Sequence, residues 1–184
     1  MRIIAGTWRG RILQAPAGQG TRPTAERLRQ ALFDMLLHAP WGGRLDGMVV
    51  LDAFAGTGAL GLEALSRGAA SAVFMERDRA SLEALRANIA LCRGAMARVL
   101  ATDVLTPPAG QPCDLVFLDP PYGGDLLPRA VAALAKAGWI APGALIVAES
   151  ARDEAVVLGE LLAERAHGAG RVTVWRGAGS FTSG

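Results

Sequence analysis

The chain is predicted to fold as an α/β domain built on a doubly wound, mostly parallel seven-stranded sheet, and three observations predict it. From residue 48 onward, short apolar runs alternate with helical stretches, the pattern of strands joined by crossover helices. The length, 184 residues, suits one domain better than two. Hydrophobic residues make up 51% and charged residues 20%, with a mean hydropathy of +0.28. That balance supports a packed core and excludes a disordered scaffold.

The elements follow in order. Residues 2–5 and 11–14 read as two short strands around a turn at 6–10, and a Gly/Pro/Gln loop follows at 15–20. Thr24, behind Pro23, is placed to cap a helix with Glu26 in its first turn. Leu28, Ala31, Leu32, Met35 and Leu36 recur at helical spacing as its apolar face. After a connection at 40–47, strands are expected at 48–53, 71–76, 97–101, 114–118 and 144–149. Helices are expected at 59–67, 80–92 and 126–137, and a last strand pair at 161–175 around Gly168. The organisation is one domain, with a basic N-terminal extension (1–40) packed on a body (41–184).

Composition removes several classes of function. No apolar run approaches the ~18 residues needed to cross a bilayer, and Arg9 and Arg11 interrupt the start before a signal peptide could form. Cys92 and Cys113 stand apart with no paired spacing, so neither a disulfide scaffold nor a zinc site is expected. The expectation is a cytoplasmic protein with no membrane partner and no metal.

The net charge of +2 conceals an asymmetry. Residues 1–30 carry Arg2, Arg9, Arg11, Arg22, Arg27 and Arg29 against the single acid Glu26, while the rest of the chain holds 13 basic and 16 acidic side chains. Arginine forks suit phosphate, so the six are candidate RNA contacts, with Arg22, Arg27 and Arg29 pointing outward from the helix. Removing this arm is expected to weaken RNA binding and leave the cofactor loop unaffected.

Two motifs carry the chemistry. The first predicted strand runs into Asp52-Ala53-Phe54-Ala55-Gly56-Thr57-Gly58-Ala59-Leu60-Gly61, where Gly56, Gly58 and Gly61 match a dinucleotide fingerprint. Asp52 argues against NAD, because a carboxylate beside the loop would repel a pyrophosphate at the helix N-terminus. It favours a ligand bearing an ammonium and a sulfonium but no phosphate, S-adenosylmethionine. Phe54, Ala55, Gly56, Thr57, Gly58 and Gly61 then line the cofactor, and Glu76, ending the next strand, accepts the ribose hydroxyls. The competing reading is that Asp52 and Glu76 only cap their own loops.

The second motif, Asp119-Pro120-Pro121-Tyr122, follows a buried strand. Two prolines fix two φ angles and remove two donors, leaving rigid carbonyls beside the carboxylate. Such an acceptor pair suits an exocyclic amine, and Tyr122 offers a face for an extruded base. A structural Pro-Pro turn is the alternative.

The glycine loop, the opening Arg2-Ile3-Ile4-Ala5-Gly6-Thr7-Trp8-Arg9-Gly10-Arg11, the stretch Arg22-Pro23-Thr24-Ala25-Glu26-Arg27-Leu28-Arg29 and Asp119-Pro120-Pro121-Tyr122 together resemble the RsmD family. These are class I, Rossmann-like methyltransferases acting on guanine N2 of 16S ribosomal RNA. The resemblance implies methyl transfer from S-adenosylmethionine to ribosomal RNA, naked or within an assembling or assembled small subunit. It also implies that Asp103, after the third sheet strand, contacts the cofactor's adenine; by itself Asp103 reads as a turn residue. Rival readings are a DNA adenine-N6 methyltransferase, a protein glutamine methyltransferase and a non-catalytic RNA-binding assembly factor.

Overall fold

Five of the short apolar runs pair side by side as parallel strands: β1 (Val49–Ala53), β2 (Ser71–Glu76), β3 (Ala97–Ala101), β4 (Cys113–Leu118) and β5 (Ile140–Ala151). The hairpin β6 (Glu160–His167) and β7 (Gly170–Arg176) joins antiparallel through β7, giving the order β3-β2-β1-β4-β5-β7-β6. This computed structural model describes residues 1–16, 23–94, 96–121, 125–154, 156–168 and 170–177. Residues 17–22, and with them most of the Gly/Pro loop and Arg22, lie outside the described residues, as do Tyr122 and the tail beyond 177.

Successive strand residues serve opposite faces, as the pleat requires. Phe74, Leu115, Phe117 and Val147 pack beneath the arm, α1 (Pro23–His38), α2 (Ala59–Ser66) and α3 (Arg79–Cys92). Met75, Val116, Leu118 and Ile146 face α4 (Leu126–Lys136). That helix buries Leu127, Ala130, Val131 and Leu134, one stripe at helical spacing. Asp78 caps α3 by accepting the Ser81 N–H at 2.8 Å. No described helix is long and apolar enough to cross a membrane.

The N-terminal region departs from the sequence reading in four ways. The two predicted strands reduce to a single antiparallel bridge, Arg2 to Ile12. The ladder goes no further because the Ala5 amide, the next to face the partner, donates instead to the Glu63 carboxylate at 3.0 Å, which also takes the Ile4 amide at 2.8 Å. Helix α1 begins at Pro23, where a missing N–H is harmless, so Thr24 lies inside the first turn and not at the cap. Ala31 is exposed, and the buried row is Arg29, Leu32, Phe33 and Leu36. Arg29, expected to point outward, is only 5% exposed.

Arg29 turns inward because Glu63, fully buried in α2, gathers the local cations. Arg67 Nε donates to it at 2.7 Å, Arg29 Nε stands 3.9 Å away, and the Arg67 guanidinium covers the Phe33 ring at 4.7 Å. Arg29 also donates to the carbonyl of Arg2. Ser66 extends the clamp, accepting the Trp8 N–H at 2.9 Å and donating to the Ala5 carbonyl. Gly6 passes this point at φ +80°, and a Cβ there would lie 1.7 Å from the Ser66 carbonyl oxygen, so the approach requires glycine. Ile3 and Leu13 are buried with the core.

Glu63 is therefore the anchor of the arm. Glu63→Ala leaves the Arg67 guanidinium and two amides without their acceptor and Arg29 without its counter-charge. Breaking a buried ion pair from one side costs about 3–5 kcal/mol. Urea denaturation should show a loss of that size, and a loss within the range of a surface substitution would contradict the anchoring role.

Candidate active site

The chain runs from β1 outward to β2 and β3, then crosses back to begin β4 on the other side of β1. The carboxyl ends of β1 and β4 therefore flank the switch point of the sheet, where open α/β folds bind ligands. Both sequence motifs emerge there: the glycine loop after β1 and Asp119-Pro120-Pro121 after β4.

The loop turns sharply. Phe54 adopts φ +64°, a left-handed conformation that costs a side-chain-bearing residue ~1–2 kcal/mol. Ala55 donates to the Met75 carbonyl at 2.9 Å, tying the loop to β2, and Gly58 starts α2. Gly61 lies against the sheet so tightly that a Cβ would come 2.4 Å from Phe74 and 3.2 Å from the Asp52 side chain. This contact lets the Gly61 N–H reach the Asp52 carboxylate at 2.8 Å.

Asp52 is only 2% exposed, and its burial pushes the carboxyl pKa up to about 8. The Gly61 hydrogen bond opposes the rise, while Asp119 and Glu76 add to it. Glu76 accepts the Gly56 N–H at 2.8 Å through one oxygen and the Arg77 and Asp78 amides at 2.7 and 2.8 Å through the other. Both acids thus cap their loops, the reading left open by the sequence, and both stand at the mouth beside the glycine turn.

Asp103 accepts the Leu105 N–H at 2.9 Å and pairs with Arg77 at 2.6 Å, and these partners hold its carboxyl below the usual range. Its turn-forming role is explicit in that geometry. Asp119 follows β4 and is exposed. Desolvation by the surrounding protein, with the charge of Glu149 adding to it, pushes its carboxyl pKa up to about 7. Pro120 is buried and Pro121 exposed.

The structure thus brings Asp52, Glu76 and Asp119 together with the loop, and adds Glu149, which sequence reasoning missed. Leu118 pairs with Ala148, so Glu149 stands within β5 one residue beyond that pair, as Asp119 stands one residue beyond it after β4. The available signal was a further apolar run ending on an acid, as the run before Glu76 does. Two surface recesses lie elsewhere, one at the amino end of the sheet beside Trp41, Asp114 and Arg176, the other against α1 beside Met35 and Arg165.

The arginines divide. Arg9 and Arg27 are exposed; Arg2 is exposed and pairs with Glu26 at 3.3 Å; Arg11 donates to the Leu91 carbonyl. Arg29 is removed from the candidate RNA surface by its burial against Glu63.

The family described as Conserved hypothetical protein 95 matches residues 1–176. Ribosomal RNA small subunit methyltransferase D of Escherichia coli K12 is 45% identical over 152 residues, covering 82% of this chain and 74% of that protein. The Haemophilus influenzae protein of the same name is 38% identical over 177 residues, covering 91% and 89%. The solved Escherichia coli protein yhhF superposes with a TM-score of 0.83 at 38% identity, covering 97% of this chain and 98% of its own. The fold is that of class I methyltransferases.

The environment of Asp52 has a stability consequence. An acid whose pKa is higher folded than unfolded makes the folded state hold the proton more tightly, so stability falls as pH rises from the unfolded value to about 8. Asp52→Asn retains an acceptor for Gly61 and removes the charge. Its melting temperature, without ligand, should exceed that of the native chain at pH 8 and match it near pH 4. A variant less stable than the native chain at pH 8 would contradict this electrostatic reading.

Proposed function

The chain belongs to the Conserved hypothetical protein 95 family, the RsmD family, and from that membership we propose that it methylates the exocyclic N2 amine of a guanine in small-subunit ribosomal RNA. The methyl donor is S-adenosylmethionine, and the substrate is RNA within an assembling or assembled small subunit, which places the work in the cytoplasm. The observation that carries the reading is the row of carboxylates, Asp52, Glu76 and Asp119, around a glycine turn at the switch point.

The donor set fits the cofactor. A pyrophosphate would meet three acids, whereas a ligand with an ammonium and a sulfonium compensates carboxylates that burial has made reluctant to ionise. Asp52 serves the cationic end, and Glu76 the ribose hydroxyls. Phe54, Ala55, Gly56, Thr57, Gly58 and Gly61 shape the cradle, and Asp103 reaches the adenine. When bound, the cofactor supplies an electrophilic methyl group.

The remaining chemistry belongs to the chain. The lone pair of an aryl amine is delocalised into its ring, so the amine is a weak nucleophile. Asp119 accepts one N–H and the Pro120 carbonyl the other, directing the lone pair and stabilising the charge that develops on nitrogen. The amine proton leaves after transfer, and a carboxyl with a pKa near 7 can receive it. Pro121 keeps the turn rigid and Tyr122 stacks the base. Arg2, Arg9, Arg11, Arg22 and Arg27 contact phosphates.

Incubation with methyl-labelled cofactor, small ribosomal subunits, naked RNA or DNA, followed by nucleoside analysis, tests the assignment. Label is expected in N2-methylguanosine from ribosomal RNA. In single-turnover transfer, Asp119→Ala should slow the step by ~10²–10³, the usual effect of losing one preorganised partner, with far smaller changes in binding. Label in DNA adenine, or an Asp119→Ala enzyme with the native rate, would overturn the proposal.

A further inference from the structure

Asn88 lies in the middle of α3, fully buried at 0% exposure, on a helix face otherwise lined by Leu85 and Cys92. A buried amide on an apolar face is costly unless every polar atom finds a partner. Here Oδ1 accepts the Gln14 N–H at 2.7 Å, while Nδ2 donates to the Gln14 carbonyl at 3.0 Å and to the Thr57 carbonyl at 2.9 Å. One donor and two carbonyls surround the group, so only this orientation of the amide satisfies all of them.

Gln14 closes the N-terminal arm, and Thr57 lies within the glycine turn between Gly56 and Gly58. A single side chain therefore joins the two segments whose functions are separate in the sequence. The other anchors of the arm, Glu63 and Ser66, lie on α2, which grows directly out of the same turn. Arm and turn are fixed to one frame, with Asn88 as the only side chain among the described residues hydrogen-bonded to the main chain of both.

We infer that Asn88 is a positioning residue that couples the arm to the cofactor loop, so that docking of the arm sets the loop's affinity for S-adenosylmethionine. The coupling rests on the proposal that this loop holds that cofactor. Its physical basis is preorganisation: a turn whose carbonyl is already held loses less freedom when a ligand binds. It replaces the expectation that the arm can be removed without effect on the loop.

The test is a cycle of cofactor affinities, measured by calorimetry with S-adenosylmethionine on the whole chain without RNA. Gln14 has an exposed side chain, so Gln14→Ala keeps the amide that Asn88 accepts and should bind like the native chain. Gln14→Pro removes that donor and fixes φ at a residue distant in sequence from the loop, and should weaken binding about tenfold, the effect of one buried hydrogen bond. Asn88→Ala, which also releases the Thr57 carbonyl, should weaken it at least as much, and the double variant no further than Asn88→Ala, because the link to Gln14 is then already broken. Native affinity in Gln14→Pro, or losses that multiply in the double variant, would overturn the coupling. If Asn88→Ala does not fold, the contrast between Gln14→Pro and Gln14→Ala decides alone. A native chain that binds no S-adenosylmethionine would instead remove the functional reading, and the coupling with it.

Discussion

A carboxylate with almost no water around it holds the amide of Gly61, and the working end of the molecule is organised outward from that contact. The bond joins the end of β1 to the first turn of α2, which sets the curvature of the glycine turn between them. It forms because Gly61 has no Cβ to strike Phe74, so a packing constraint in the core and an electrostatic feature of the mouth have one cause. The arrangement is unfavourable in isolation. Burial, Asp119 and Glu76 all raise the Asp52 pKa, and the helix amide offsets only part of the rise. A site with this imbalance gains when a cation arrives, which separates it from glycine turns built for phosphate.

The arm shows how a charge cluster divides into structural and exposed parts. Six arginines in thirty residues suggest a polyanion partner, but Glu63 claims Arg29 from among them and Arg67 from its own helix. The same carboxylate takes the Ile4 and Ala5 amides, so arm, α1 and α2 converge on one buried acid. Arg9 and Arg27 remain at the surface. Fewer cations are therefore open to a polyanion than the composition implies, and they are carried on a segment built into the core through Ile3 and Leu13.

The sheet was legible in the sequence because its central strands β1 and β4 and the apolar stretch of β5 are buried on both faces and read as apolar runs, and β2 and the edge strand β3 have the limits predicted for them. β5 is longer than its apolar run because Ile140 pairs with Cys113 across an irregularity spanning Pro142 and Gly143, residues that read as a turn. Asp52, Glu76 and Asp119 were legible too, since each stands at or next to a strand end, Asp52 shortly before the glycine turn and Asp119 directly before two prolines. What escaped depends on tertiary partners. Nothing local distinguishes Arg29 from Arg27, because the acid that buries Arg29 lies 34 positions away at Glu63. The hairpin fails to form a ladder for the same reason, since side chains of α2 take its amides. Asn88 carried a faint signal, a polar residue on an apolar helix face, but its partners are distant in sequence.

The central claim is that the carboxylates at the switch point, with Asp52 buried among them, are completed by a cationic cofactor, and proton release on binding tests it most directly. Calorimetric titration of S-adenosylmethionine at pH 7, repeated in buffers of different ionisation enthalpy, measures that number. With Asp52 raised to about 8 and Asp119 to about 7, a bound cation should drive ionisation and release on the order of one proton per cofactor. No net release, or proton uptake, would contradict the account.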